Sequence, residues 1–220
     1  ANALRQKGPR PTDDQLFRPA TLLLTRRLRN GSGETADLRI GLIGLLPPQV
    51  TLWEKSNLQG RIVTRDILEA ATDWIAHLRS AGADLIVALC HSGIGDSTHV
   101  PDMENAAIPL ARLPGIDALI AGHVHMAFPG PGVAATADID PIRGSLCGNP
   151  AVMGGYRGSH LGIIDLDLAT DGRRWTLRDF KCEARAVCES YGPHSATVPV
   201  ATDPRVEQAV ASGHAATLAF

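Results

Sequence analysis

The clearest apolar pattern starts at residue 39. Arg39-Ile-Gly-Leu-Ile-Gly-Leu-Leu46 is almost continuously apolar, which predicts a strand covered on both faces, and Pro47-Pro48 stops it. A polar stretch follows as far as Thr64, a residue type suited to cap the next helix. Within that helix Ile67, Leu68, Ala71, Trp74, Ile75 and Leu78 recur at helical spacing, while Arg65, Asp66, Glu69, Asp73 and Arg79 fill the opposite face. Gly82 is placed to end the helix in the left-handed conformation. Asp84-Leu-Ile-Val-Ala-Leu-Cys90 then reads as a second buried strand. Strand, helix and strand in this order predict a βαβ unit with parallel strands and a right-handed crossover.

The pattern repeats once. Glu104 to Leu113 is a shorter helical stretch, Pro114-Gly115 breaks it, and Ile116-Asp-Ala-Leu-Ile-Ala121 is a third apolar strand. Beyond Phe128, residues 151–153, 160–168 and 175–185 read as a run of antiparallel strands, with Asp171-Gly172 turning between the last two. Pro204 to Leu218 reads as a helix with Pro in its first turn and Asp203 near the cap. Residues 1–37, mixed and rich in Arg, Pro and Gly, are expected to form an irregular lead-in with one apolar patch at 20–25. The fold class is therefore mixed α/β, with residues 38–220 as its organised part.

Composition narrows the picture only by exclusion. The 220 residues are 44% hydrophobic and 20% charged, with a net charge of −2. Charge thus points neither to nucleic acid nor to an anionic membrane. At 4% aromatic residues, base-stacking platforms are not expected, and no apolar run approaches the roughly 20 residues that span a bilayer. Ala1 to Pro19 lacks the charged head and apolar core of a signal peptide, and both ends read as cut. Cys90, Cys147, Cys182 and Cys188 match no zinc-ribbon or C-x-x-C spacing. Cys182 and Cys188 are close enough in sequence for a pairing to be considered, and Cys90 is expected to be a buried free thiol.

The chemistry lies in the histidines. Cys90 is followed by His91-Ser92-Gly93, and Ala121 by Gly122-His123-Val124-His125. Ligands of open α/β sheets gather at the carboxyl ends of the strands, so both groups are expected on one sheet edge. In extended chain His123 and His125 would point to the same face, roughly 6.5 to 7 Å apart at Cα, a spacing that serves one ion or two neighbouring ones. Imidazole favours zinc, manganese, iron or cobalt over calcium or magnesium. His77, His99, His194 and His214 are expected at the surface, and His160 in the core or at a site rim. Asp96, Asp102 and Glu104 are open to a supporting role behind His91, although a solvated loop is the simpler reading. Ser92 lacks the G-x-S-x-G setting of a nucleophile.

At these residues the chain resembles the calcineurin-like metallophosphoesterases of the 5′-nucleotidase group. The likeness is carried by Ile40 to Gln49, Gly82 to Gly93, and Gly115-Ile-Asp-Ala-Leu-Ile-Ala-Gly-His-Val-His125. Pro47-Pro-Gln49 with Trp53, the Glu104-Asn105 region, Phe128-Pro-Gly130 and Asn149 to Met153 leading to His160-Leu-Gly162 bring it nearest to the bacterial periplasmic 2′,3′-cyclic-nucleotide 2′-phosphodiesterase/3′-nucleotidase branch. The resemblance implies a four-layer β-sandwich flanked by helices, incomplete here at the N-terminus, and two divalent metal ions. It implies that His91 and His123 bind one ion and His125 the other, and that a nucleotide is the substrate.

The family's Asp-x-His, Gly-Asp and Asn-His motifs should precede residue 38, and none is found there. Gly95-Asp96 and Gly148-Asn149 come too late in the order. The resemblance therefore implies the later part of a catalytic domain, without its N-terminal half and without a C-terminal nucleotide-binding domain. No catalytic residue beyond the metal ligands is identified, and the isolated chain is expected to be inactive or weakly active. A 5′-nucleotidase is the alternative within the class, and a non-catalytic binding module that kept the fold is the alternative outside it. A metallo-β-lactamase-like enzyme would need Asp-His where this chain has Ala127-Phe128.

Overall fold

The computed structural model describes residues 1–188 and 201–219. It separates into two compact units, residues 1–185 and 186–220.

The first unit begins with structure where an irregular lead-in is expected. Strand β1 (Ala3–Gln6) pairs with β2 (Gln15–Leu16) across a short 3-10 turn. Next comes β3 (Thr21–Arg29), which forms a hairpin with β4 (Thr35–Leu45) over nine residue pairs, from Thr21↔Ile43 to Arg29↔Thr35. Short strands of mixed polarity carry no period-two signal, and the apolar and basic residues of Leu-Leu-Leu-Thr-Arg-Arg-Leu do not alternate, so neither region is legible as strand. The lead-in is also tied down. Asn2 is fully buried, donating through Nδ2 to the Leu46 and Arg65 carbonyls (2.8 and 3.0 Å) and accepting from the Leu46 amide. Arg65 forms a buried ion pair with Asp14 at 2.7 Å.

After β4 the chain makes two short helical turns, α1 (Val50–Trp53) and α2 (Lys55–Leu58), then β5 (Val63–Thr64), which pairs with β1. Helix α3 (Ile67–Ser80) follows as predicted, but its cap is Asp66 rather than Thr64. The Asp66 carboxylate accepts from the Leu68 and Glu69 amides at 2.8 and 3.0 Å, satisfying donors that a helix start leaves open. Gly82 closes the helix at φ 87°, with the Ala83 amide bonded back to the Leu78 carbonyl. Next come β6 (Leu85–Cys90), α4 (Ala107–Arg112) and β7 (Ala118–Ala121). Strand β4 is parallel to β6, and β6 to β7, so the predicted βαβ unit is present.

Beyond β7 lie β8 (Ala127–Phe128), β9 (Ile139–Asp140), β10 (Ser145–Leu146), β11 (Asn149–Gly154), β12 (His160–Thr170) and β13 (Trp175–Ala186). The main sheet runs β3-β4-β6-β7-β11-β10-β9, with β8 paired to β11. Strand β11, expected in an antiparallel run with its successors, instead lies parallel to β7 through Ala151↔Leu119 and Met153↔Ala121. Only β12 and β13 form the expected hairpin pair. On one face of the sheet Ile43, Ile86, Ala88 and Leu119 pack with Ile67, Trp74, Ile75 and Leu78 of α3 and Ile108 and Leu110 of α4. On the other face Leu22, Leu89 and Ile120 remain 54%, 40% and 44% exposed.

In the second unit, α5 (Pro204–Leu218) starts at Asp203, whose carboxylate accepts from the Arg205 amide, and none of its residues is buried. His194 lies outside the described residues. All four cysteines are free. No helix of the described residues is long and apolar enough to cross a membrane.

Candidate functional site

Strands β6 and β7 run side by side and end together. Leu89 is in register with Ile120, so the segments that leave the sheet, His91-Ser92-Gly93 and Gly122 to His125, emerge at adjoining points. The first segment is built for close packing. A β-carbon on Gly93 would fall 2.3 Å from Val124 Cγ1 and 2.7 Å from Asn105 Oδ1, so only glycine lets these two segments meet. Ser92 is fully buried. Its hydroxyl donates to the Glu104 carbonyl at 2.6 Å and accepts from the Ala106 amide at 2.7 Å. That engagement leaves it no nucleophilic role, in line with the missing nucleophile motif.

The H-x-H segment is not extended. His123 and His125 have φ 73° and 60°, and the Val124 amide bonds back to the Gly122 carbonyl, so the strand-like spacing expected between them is replaced by a tight bend. The bend turns His123 toward His91, with ring centroids 5.4 Å apart and planes at 66°. It stacks His125 on Tyr156 instead, at 5.2 Å and 18°. His123 is also stacked on Trp53, at 5.1 Å and 17°, and its Nε2 lies 2.6 Å from Glu104 Oε1. Partial burial, reinforced by the neighbouring His123 and His125, pushes the His91 pKa below the ordinary imidazole value. A neutral imidazole with a free lone pair results at neutral pH, the form that accepts a proton or binds a metal. Burial pushes the neighbouring Cys90 thiol up to about 12, which keeps it protonated and inert.

These three imidazoles do not by themselves make a metal centre. Among the described residues no group of three or more His, Cys, Asp or Glu side chains is disposed to hold an ion. The donor type fits a transition metal, but three imidazoles are too few donors for two ions.

No protein-family profile matches the chain. Individual proteins do. The chain is 39% identical over 187 residues, 85% of its length, to the 2′,3′-cyclic-nucleotide 2′-phosphodiesterase/3′-nucleotidase of Yersinia enterocolitica, and covers 28% of that protein. The Salmonella typhimurium protein of the same name is 35% identical over all 220 residues, which cover 33% of it. The crystal structure of the calcineurin-like phosphoesterase YfkN from Bacillus subtilis matches 99% of this chain and 61% of that one, with a TM-score of 0.85 at 31% identity. The chain is homologous to the calcineurin-like phosphoesterases. A 5′-nucleotidase precursor from Thermus thermophilus, at 20% identity and a TM-score of 0.56, shares the fold. The chain spans no more than a third of the length of these curated relatives.

Within this phosphoesterase fold the remaining predicted residues scatter. His77 is exposed on α3, edge-on to Trp74. His99 is exposed, as expected, and its Nε2 lies 3.0 Å from Asp66 Oδ2. His160 opens β12 half-buried, its Nδ1 2.9 Å from Ser159 Oγ. Asp96 is exposed, while the Asp102 amide donates to Asp66. Glu104, for which a solvated loop is the simpler reading of the sequence, reaches His123. Trp53 enters the sequence reading only through the resemblance and Tyr156 not at all, because stacking on a histidine about seventy or thirty residues away is a property of the folded chain alone.

Proposed function

We propose that this chain forms part of a metal-dependent phosphoesterase that hydrolyses 2′,3′-cyclic nucleotides and 3′-nucleotides. The observation that carries the reading is the convergence of His91 and His123, 5.4 Å apart at the ends of adjacent parallel strands, in a chain 35–39% identical to proteins bearing that activity in their names. His91, His123 and His125 are this chain's offer to a site for two divalent ions, of the zinc, manganese, iron or cobalt type. The ions would supply charge neutralisation at phosphorus and an activated water. The ligands needed to complete such a site, and the domain that would hold the nucleoside base, lie outside these residues. A periplasmic location accompanies this reading by likeness to the same branch.

Assays of the full-length protein test it. Turnover of 2′,3′-cyclic AMP and 3′-AMP well above that of 5′-AMP is expected, together with bound transition metal. His91→Ala or His123→Ala should lower kcat by about a hundredfold or more, roughly 2.7 kcal/mol of barrier. Preference for 5′-AMP would make it a 5′-nucleotidase, and bound metal without turnover of any nucleotide would make it a binding module.

A further inference from the structure

We propose that Glu104 is a positioning residue that fixes which ring nitrogen His123 offers to the site. Only the catalytic consequence of this assignment rests on the phosphoesterase reading. Glu104 Oε1 lies 2.6 Å from His123 Nε2. An ionised carboxylate only accepts hydrogen bonds, so the proton between them belongs to Nε2. When the ring carries a single proton, Nδ1 is therefore the nitrogen with the free lone pair.

Two arms hold this arrangement, and they are braced against each other. The backbone under Glu104 is clamped by Ser92, which bonds both the Glu104 carbonyl and the Ala106 amide, while the Gly93 amide donates to Asn105 Oδ1 at 3.2 Å. The segment that presents His91 thus also holds the residue that orients His123. On the other side Trp53 lies flat against the ring, and the α1 segment that carries it is tethered when Gln49 Nε2 donates to the Asp102 carbonyl at 2.7 Å. Trp53 sets the plane of the imidazole, and Glu104 selects its edge. A carboxylate side chain that is 42% exposed has free access to water, so its direction toward His123 reflects the bond it makes there.

The test is long-range proton–nitrogen NMR on the full-length protein, freed of metal by a chelator so that no ion fixes the ring, with ring-15N-labelled histidine and His123 assigned by its absence in His123→Asn. The wild type should show the proton on Nε2. Glu104→Gln keeps an acceptor oxygen and should keep that pattern, whereas Glu104→Ala should drift toward a mixture of tautomers. In the same series Glu104→Ala should lower kcat about ten- to a hundredfold with KM within about threefold, and Glu104→Gln should recover most of it. A proton on Nδ1 in the wild type, or an unchanged tautomer in Glu104→Ala, overturns the proposal. If Glu104→Ala does not fold, Glu104→Met, of similar length but without an acceptor oxygen, takes its place and should show the same drift, and an unchanged tautomer there overturns the proposal equally. Absence of phosphoester turnover in the wild type would defeat the functional reading while leaving the nitrogen assignment standing.

Discussion

Gly93 sets the tolerance of the site at the scale of single residues. Its missing side chain leaves room for Val124 and Asn105, and through them for the bend that aims His123. Gly93→Ala places a methyl 2.3 Å from Val124 Cγ1, so the two segments must part. A loss of about 1–3 kcal/mol in stability is expected, read as a lower midpoint in urea, with the His91–His123 contact opened. The histidines themselves are legible in the sequence because they follow apolar runs directly. Their partners are not. The stacking of Trp53 on His123 and of Tyr156 on His125, and the bond from Glu104, join residues distant along the chain, and no local spacing encodes them.

Among the elements, β6 shows how far an apolar pattern can be read. Leu85 to Cys90 appears uniformly buried from composition, yet Ile86 is fully buried beneath α3 and α4 while Leu89, on the opposite face, is 40% exposed. Ile86→Ala should cost about 2–5 kcal/mol by leaving a cavity, and Leu89→Ala about 1 kcal/mol or less. Equal costs in denaturant titrations of this chain would contradict the exposed face. Helix α3 was legible almost to the residue, apart from its cap. Asp66 holds that place because its two oxygens serve both the helix start and the loop from His99 to Asp102. Burial of the Asp66 carboxyl opposes its charge, but His99 and the amides of Glu69 and Asp102 outweigh this and hold its pKa below the usual carboxylate value. A carboxyl lowered in the folded state stabilises fully above its unfolded pKa of about 3.9, and the contribution is lost as pH falls through the folded value. Asp66→Asn keeps a capping oxygen but loses the charge. It should be less stable at pH 7 by about 1–2 kcal/mol, with the gap closing below about pH 3.9 in acid-unfolding curves.

At the scale of the whole molecule, two observations bear on the proposed site. Leu22, Leu89 and Ile120 leave an apolar sheet face open, and the described residues assemble no metal-ligand group of three. Both observations support the proposal that the site is completed from outside this chain. The purified 220 residues are accordingly expected to hydrolyse 2′,3′-cyclic AMP at no more than trace rates and to bind less than stoichiometric zinc or manganese, measured by phosphate release and elemental analysis. Vigorous turnover by the chain alone would refute this. Cys182 and Cys188, whose pairing the spacing left open, are free thiols.

The sequence by itself determined the βαβ unit, the amphipathic α3 and the ends of β6 and β7, because these depend on periodicity and on the abrupt change from apolar run to polar segment. It also placed His91 and His123 on one edge, since parallel neighbours must end on the same side. Tertiary structure alone decided that residues 1–37 are woven into the fold, that β11 joins β7 in parallel, and that His123 and His125 stack on different partners. Strand partners are chosen by sheet edges and buried hydrogen bonds formed between distant segments. The direction of a side chain in a bend is decided by what packs against it. The histidines thus mark the candidate site, while Glu104, Trp53 and Gly93, brought up by other segments, decide how His123 faces it.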